Sequence, residues 1–281
     1  MDYQTYGDPN GRPVFYFHGT PGAPEEAVWL AAAAQANGLC ILALQRDSLD
    51  LGVQGEAYIA ELAAQVLRLA DGRPVHLLGF SIGASLALRV AAQLPTPAAG
   101  VWLVSAAAPL EWPASWQGMG AGRYTFAMAQ KFPRLFKWVG AYQGWLARHF
   151  TSVLLGTLFQ GARGADAQLL GQAERREQLT RVQQQAFAHG AGAYLRDVHA
   201  YVQPWAACLP AVRAPLQLWH GEQDNWAPVG MLHGLLEQFA GQAQAHWLAD
   251  RSHYSCLIDA AQPLCQQLAA SFAEPNPVSV V

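Results

Sequence analysis

Charge is what this chain has least of. Asp, Glu, Lys and Arg make up only 13% of its 281 residues, against 52% hydrophobic. So apolar a composition excludes a disordered chain and leaves ample material for a large core. The net charge is −3, with none of the basic excess that nucleic-acid binding needs. Cysteine is sparse too. Cys40, Cys208, Cys256 and Cys265 form no CxxC pair and no metal-ligand spacing, which fits a reducing compartment. Despite the apolar content, no run reaches the roughly 18 residues of a membrane span. The start, Met1-Asp2-Tyr3-Gln4, lacks the basic and then apolar segments of a secretory signal. A cytoplasmic protein without a transmembrane segment is expected.

Strand and helix signals alternate over the first hundred residues. Pro13–Phe17 and Leu39–Leu44 are short apolar runs, as expected of strands covered on both faces. Between them, Pro24 opens a helix with Glu25 and Glu26 at its positive dipole end, and Gly38 follows its finish. Ile59, Leu62, Ala63, Val66 and Ala70 mark one face of a helix over 56–70. Strands follow at Val75–Leu78 and Gly100–Val104. The alternation predicts a mostly parallel, doubly wound α/β sheet. It stops near Pro109. Glycine-broken helical stretches fill 111–205, and strands resume at Pro215–Trp219 and Ala245–Leu248, with a last helix over Ala260–Phe272 and a frayed tail at Glu274–Pro277. The expected organisation is a core from 1–110 and 206–281 around a helical insertion at 111–205.

One turn stands out. Gly79-Phe80-Ser81-Ile82-Gly83 joins a strand to a small-residue helix, the setting of a nucleophile elbow. Glycine on both sides lets the turn close tightly and lifts the serine hydroxyl clear of the backbone. A hydroxyl needs a base to take its proton, and the base needs an acid to hold its tautomer. Of nine histidines, His253 is best placed, in the loop after the last strand. Asp224, just past the strand ending near Trp219, is the candidate acid; Asp250 and Glu111 stand next in line. Strand C-termini share one edge of a parallel sheet, where ligands bind. At that edge lies His18-Gly19-Thr20-Pro21-Gly22. Proline has no N–H, so the Thr20 amide, with that of Ile82, is the candidate oxyanion donor.

His18–Gly22, Gly79–Gly83, Asp224 and His253 come in the order of the α/β-hydrolase superfamily, and the chain resembles its capped, esterase-like serine hydrolases. The resemblance implies Ser81 as nucleophile, His253 as general base, Asp224 as its orienting acid, no metal or organic cofactor, and a helical cap over the sheet. It covers about 1–110 and 206–281. The chain begins so near His18 that the first one or two antiparallel strands of that fold are expected to be missing or very short. Gln45–Asp50 replaces an Asp-Arg-Pro-Gly type of turn, and Ser252 stands where glycine usually precedes the histidine. Aspartate-nucleophile relatives are disfavoured by Ser81, and proline aminopeptidases by Thr20 and Ile82. The expected activity is hydrolysis of a carboxylic ester of a largely apolar small molecule. Thioesterase, lactonase and carbon–carbon hydrolase chemistry use the same groups, and a non-catalytic ligand-binding protein is the reading of a different class.

The insertion carries eleven aromatic residues from Trp112 to Phe159, of which about two-thirds are expected to be helix-packing core. It has no acid between Glu111 and Asp166, yet holds Arg123, Lys131, Arg134, Lys137, Arg148 and Arg163, including both lysines of the chain. Three readings fit: a solvated helix face, attraction to an anionic substrate group, or attraction to an anionic lipid surface.

Overall fold

The structure, a computed structural model, describes residues 1–272; the expected frayed tail at Glu274–Pro277 lies outside them. Seven strands form one sheet: β1 (Asp2–Gly7), β2 (Arg12–Phe17), β3 (Leu39–Gln45), β4 (His76–Phe80), β5 (Gly100–Val104), β6 (Leu216–Gly221) and β7 (Ala243–Leu248). Their order is β1-β3-β2-β4-β5-β6-β7. Only β1 runs antiparallel, paired with β3 from Asp2↔Gln45 to Gly7↔Cys40. This is the expected doubly wound, mostly parallel α/β sheet. One antiparallel strand is present after all, at six residues, because Tyr3, Thr5 and their neighbours suffice for a polar edge.

Burial follows the sequence pattern. The central strands β4 and β5 are buried at every position, and β7, at the far edge, alternates between half-buried and exposed. Helix α1 (Val28–Ala36), preceded by a tight turn at Pro24–Ala27, and α2 (Gly55–Ala70) follow β2 and β3. All five apolar positions read as the inner face of α2 are buried. Truncating one of them, Leu62, to alanine would cost about 2–5 kcal/mol. Helix α3 (Ile82–Gln93) follows β4.

Between β5 and β6 the described residues hold helices and no strand: α4 (Gly122–Lys131), α5 (Pro133–His149), α6 (Thr151–Leu158), α7 (Ala173–Ala186) and α8 (Gly192–Val202). Their aromatic content is less internal than expected. Phe126 and Phe136 are buried, but Phe132, Trp138, Tyr142, Trp145 and Phe150 are exposed. Gly140, Gly144 and Ala147 share the inner face of α5 with Phe136 and Leu146, and Trp138, Tyr142 and Trp145 are left outside. Helix α9 (Val229–Gln238) precedes β7. The last helix, α10, spans His253–Ser271 and starts seven residues earlier than its apolar run suggested. Ser252 explains the difference. Its hydroxyl and that of Ser255 exchange hydrogen bonds with each other's backbone amides, a capping box that starts the helix at the histidine. Ser252 Oγ also donates to Gln223 O at 3.2 Å, so serine in place of glycine ties this loop to the one bearing Asp224.

His76, at the start of β4, is buried with neither ring nitrogen bonded, and its ring lies 4.0 Å from that of Phe272. Burial, aided by the nearby Arg12 charge, pushes its pKa from 6.5 to about 4. The unfolded chain binds this proton near pH 6.5, the folded one not until about 4. Stability is therefore fully present above 6.5 and is lost as pH falls towards 4, by up to roughly 3 kcal/mol. Melting temperature is expected to fall between neutral pH and that range, and less steeply in His76→Leu. Equal slopes in the two proteins would place the proton uptake elsewhere.

Candidate active site

Ser81 sits between the last residue of β4 and the first of α3, at φ 57 and ψ −127. A non-glycine residue with positive φ is uncommon, and here it turns the hydroxyl out of the sheet. The turn is tight enough to exclude side chains on both sides. A Cβ at Gly79 would lie 2.5 Å from Ala84 Cα, and one at Gly83 only 2.0 Å from Phe17 O.

The three residues picked from separate parts of the sequence meet at this turn. Ser81 Oγ lies 2.9 Å from His253 Nε2, and His253 Nδ1 lies 2.8 Å from Asp224 Oδ2. Asp224 is held by its own loop: Oδ1 accepts from the Trp226 and Ala227 amides, both at 2.9 Å. One oxygen thus caps a turn while the other faces the histidine. Burial alone would raise the Asp224 pKa, but the His253 charge and hydrogen bond outweigh it and hold the carboxyl below its usual range. An ionised carboxylate accepts only, so Nδ1 carries the ring proton and Nε2 is free to accept from the serine. Burial alone would lower the His253 pKa. The Asp224 charge and hydrogen bond, followed by the charges of Asp166 and Glu26, raise it instead. The alternative acids are elsewhere: Glu111 accepts from the Trp205 and Ala206 amides.

The Thr20 and Ile82 amides border the same space. Among the described residues neither donates a hydrogen bond, which leaves two backbone donors open beside the serine. The cavity they face also borders Ser81 and His253. Phe80, Phe126, Leu158, Phe159, Val198 and Trp226 give it an apolar wall, and no Asp, Glu, Lys or Arg side chain lines it. The six cations between Glu111 and Asp166 stand outside it.

Four charged residues that sequence reasoning passed over support this arrangement. Glu26, read as a helix-dipole residue, turns inward instead and is fully buried. Its Oε1 accepts from Gly19 N at 2.9 Å and from Tyr16 Oη at 2.5 Å, beneath the turn that carries Thr20. Burial pushes its pKa up to about 7 against those hydrogen bonds. Arg46 grips the same turn from the other side. It donates to His18 O at 2.9 Å, to Gly19 O at 3.1 Å and to Thr20 Oγ1 at 3.1 Å. Asp197, on α8, pairs with Arg46 at 2.7 Å and accepts from Tyr58 Oη at 2.7 Å. Asp166 accepts from the Tyr254 and Ser255 amides at the start of α10. Of these four only Asp166 has apolar residues on both sides; Glu26, Arg46 and Asp197 each stand next to another charged residue, so the local sequence does not mark them as buried.

Comparison with known proteins agrees with the geometry. The family model described as alpha/beta hydrolase fold matches residues 50–260, which include Ser81, Asp224 and His253. Similar solved structures include a bromoperoxidase from Bacillus anthracis, at TM-score 0.67 and 16% identity, covering 97% of this chain and 95% of that one. A thermophilic esterase from Thermogutta terrifontis superposes at 0.66 with 17% identity, covering 96% and 93%. An esterase from Exiguobacterium antarcticum superposes at 0.69 with 13% identity, covering 97% and 95%. At such identities the likeness carries the fold alone. No curated protein matches the chain.

A histidine base works only when neutral, so its ionisation sets the acid limb of activity. Turnover of a p-nitrophenyl ester is expected to rise with pH through an inflection above the ordinary histidine value of 6.5. Removing the anion in Asp224→Asn should shift that inflection down. An inflection at or below 6.5 in the wild-type profile would contradict the electrostatics described.

Proposed function

We propose that this chain, which belongs to the alpha/beta hydrolase fold family, is a serine hydrolase that cleaves a carboxylic ester of a largely apolar small molecule. The observation that carries the reading is the Ser81–His253–Asp224 chain of hydrogen bonds at the wall of an apolar cavity. Family membership supports a hydrolase. The esterases among the structural neighbours are in keeping with ester cleavage.

The steps follow from the groups present. As Ser81 Oγ attacks the ester carbonyl carbon, its proton passes to His253 Nε2 and the carbonyl electron pair moves onto oxygen. That oxygen becomes negative beside the Thr20 and Ile82 amides, which are fixed in place and need no reorganisation to meet it. Asp224 stabilises the imidazolium. When the tetrahedral centre collapses, the C–O bond breaks and the leaving alkoxide takes the proton from Nε2. An acyl-enzyme on Ser81 remains. Water repeats the sequence, losing its proton to Nε2, and frees the acid and the serine. The apolar lining favours an acyl or alcohol part without charge. A cytoplasmic setting belongs to this reading, supported by four free cysteines, three of them buried.

A fluorophosphonate probe is expected to label the wild-type chain and not Ser81→Ala. Ester turnover should drop by about a thousandfold or more in His253→Ala and Asp224→Asn, with melting temperature near that of the wild type. Labelling that survives Ser81→Ala, or near-full activity of Asp224→Asn, would overturn the assignment. A panel of p-nitrophenyl esters and acyl thioesters of graded length then sets the substrate class.

A further inference from the structure

The outer face of α5 is apolar where a surface helix is ordinarily polar. Leu135, Trp138, Tyr142 and Trp145 recur every three or four residues and are 52%, 77%, 59% and 43% exposed. Eight of the thirteen exposed large apolar side chains among the described residues lie between Tyr124 and Val153. The aromatic groups touch one another rather than the core: Tyr142 stacks on Trp145 with centroids 6.0 Å apart, and Trp145 meets Phe150 at 5.3 Å.

Cations border this stripe. At about 100° per residue, Arg134 falls beside Trp145 at the edge of the stripe, with Arg148 and Lys137 farther along the same flank. All three are exposed. No acid occurs between Glu111 and Asp166 to neutralise them. Among the described residues none of the three enters an ion pair, and none lines the cavity beside Ser81. Apart from a 3.5 Å hydrogen bond from Arg148 Nη1 to Phe187 O, the charge and the aromatic stripe serve neither the core nor the substrate cavity.

We propose that this face docks on the surface of an anionic phospholipid bilayer. Indole and phenol side chains have an apolar body and a polar handle, which suits the boundary between headgroups and hydrocarbon. Arg134, Lys137 and Arg148 reach lipid phosphates while their stems lie along the apolar surface. The attachment is peripheral: among the described residues no helix is long and apolar enough to cross a membrane. The inner side of the same helix gives Gln143 to the cavity beside Ser81. Docking thus brings one wall of that cavity to the lipid.

Sedimentation of the full chain with phosphatidylcholine vesicles, with and without phosphatidylglycerol, tests this. Binding is expected to be about tenfold or more tighter with the anionic lipid, and to weaken as salt is raised. The pairs Trp138→Ser with Trp145→Ser, and Arg134→Glu with Lys137→Glu, should each lose about tenfold or more. Their melting temperatures and their turnover of a soluble ester should match the wild type. Equal binding to both vesicles, binding to neither, or variants that bind like the wild type would overturn the proposal. So would a dimer in size-exclusion chromatography that the tryptophan pair abolishes while vesicles leave the chain in solution.

Discussion

The start of α3 and the end of β2 touch backbone to backbone, and the site depends on that contact. A side chain at Gly83 would collide with the carbonyls of Phe17 and His18. With none there, the serine turn and the Thr20 turn share one small space, and two amides open onto it from different elements. The arrangement is costly. A residue held in the Ser81 conformation stores on the order of 1–3 kcal/mol of strain. The surrounding burial holds it: every residue of β4 and ten residues of α3 are buried.

Around that contact the chain concentrates its few charges. Glu26, Arg46, Asp166, Asp197 and Asp224 are all buried. A buried charge is tolerable only when paired and hydrogen-bonded, and a half-satisfied one would destabilise the fold by several kcal/mol. Glu26, Arg46, Asp166 and Asp224 each bond to backbone, and Asp197 is held by the side chains of Arg46, Thr20 and Tyr58. Glu26 accepts from one amide of the Thr20 turn while Arg46 donates to two of its carbonyls, so the turn is held from both sides. Asp197 completes the grip from α8, joining the helical block to the sheet through Arg46. Under the proposed hydrolysis, donors held this rigidly would meet the developing oxyanion without having to move first.

What could be read from residues alone follows from these physics. The parallel sheet was legible because each central strand is covered on both faces and reads as an unbroken apolar run. Ser81, His253 and Asp224 were legible because strand ends in such a sheet converge on one edge. The Arg46–Asp197 pair was not, since 151 positions separate the partners and nothing local marks either as buried. Glu26 was misread because an acid after Pro24 ordinarily serves the start of a helix, whereas the short turn there points it under Gly19. The capping role of Ser252 was hidden by the departure from glycine that made it look anomalous. The exposed side of α5 was misjudged for a general reason: aromatic content suggests a core, and only the small residues at 140, 144 and 147 reveal which face packs.

Strand β4 and helix α10 close on each other twice. At one end of each, the serine after β4 meets the histidine that begins α10. At the opposite end, His76 at the head of the strand lies against Phe272 just beyond the helix, and Arg12 clasps Ala269 O and the Phe272 ring. Strand and helix therefore form a braced rung, fastened at top and foot. The foot is the acid-sensitive fastening and the top the chemical one. Protons that loosen the foot act the length of one strand, about 17 Å, from the serine, so acid would slacken the scaffold at its base while the capped first turn still holds the imidazole in line.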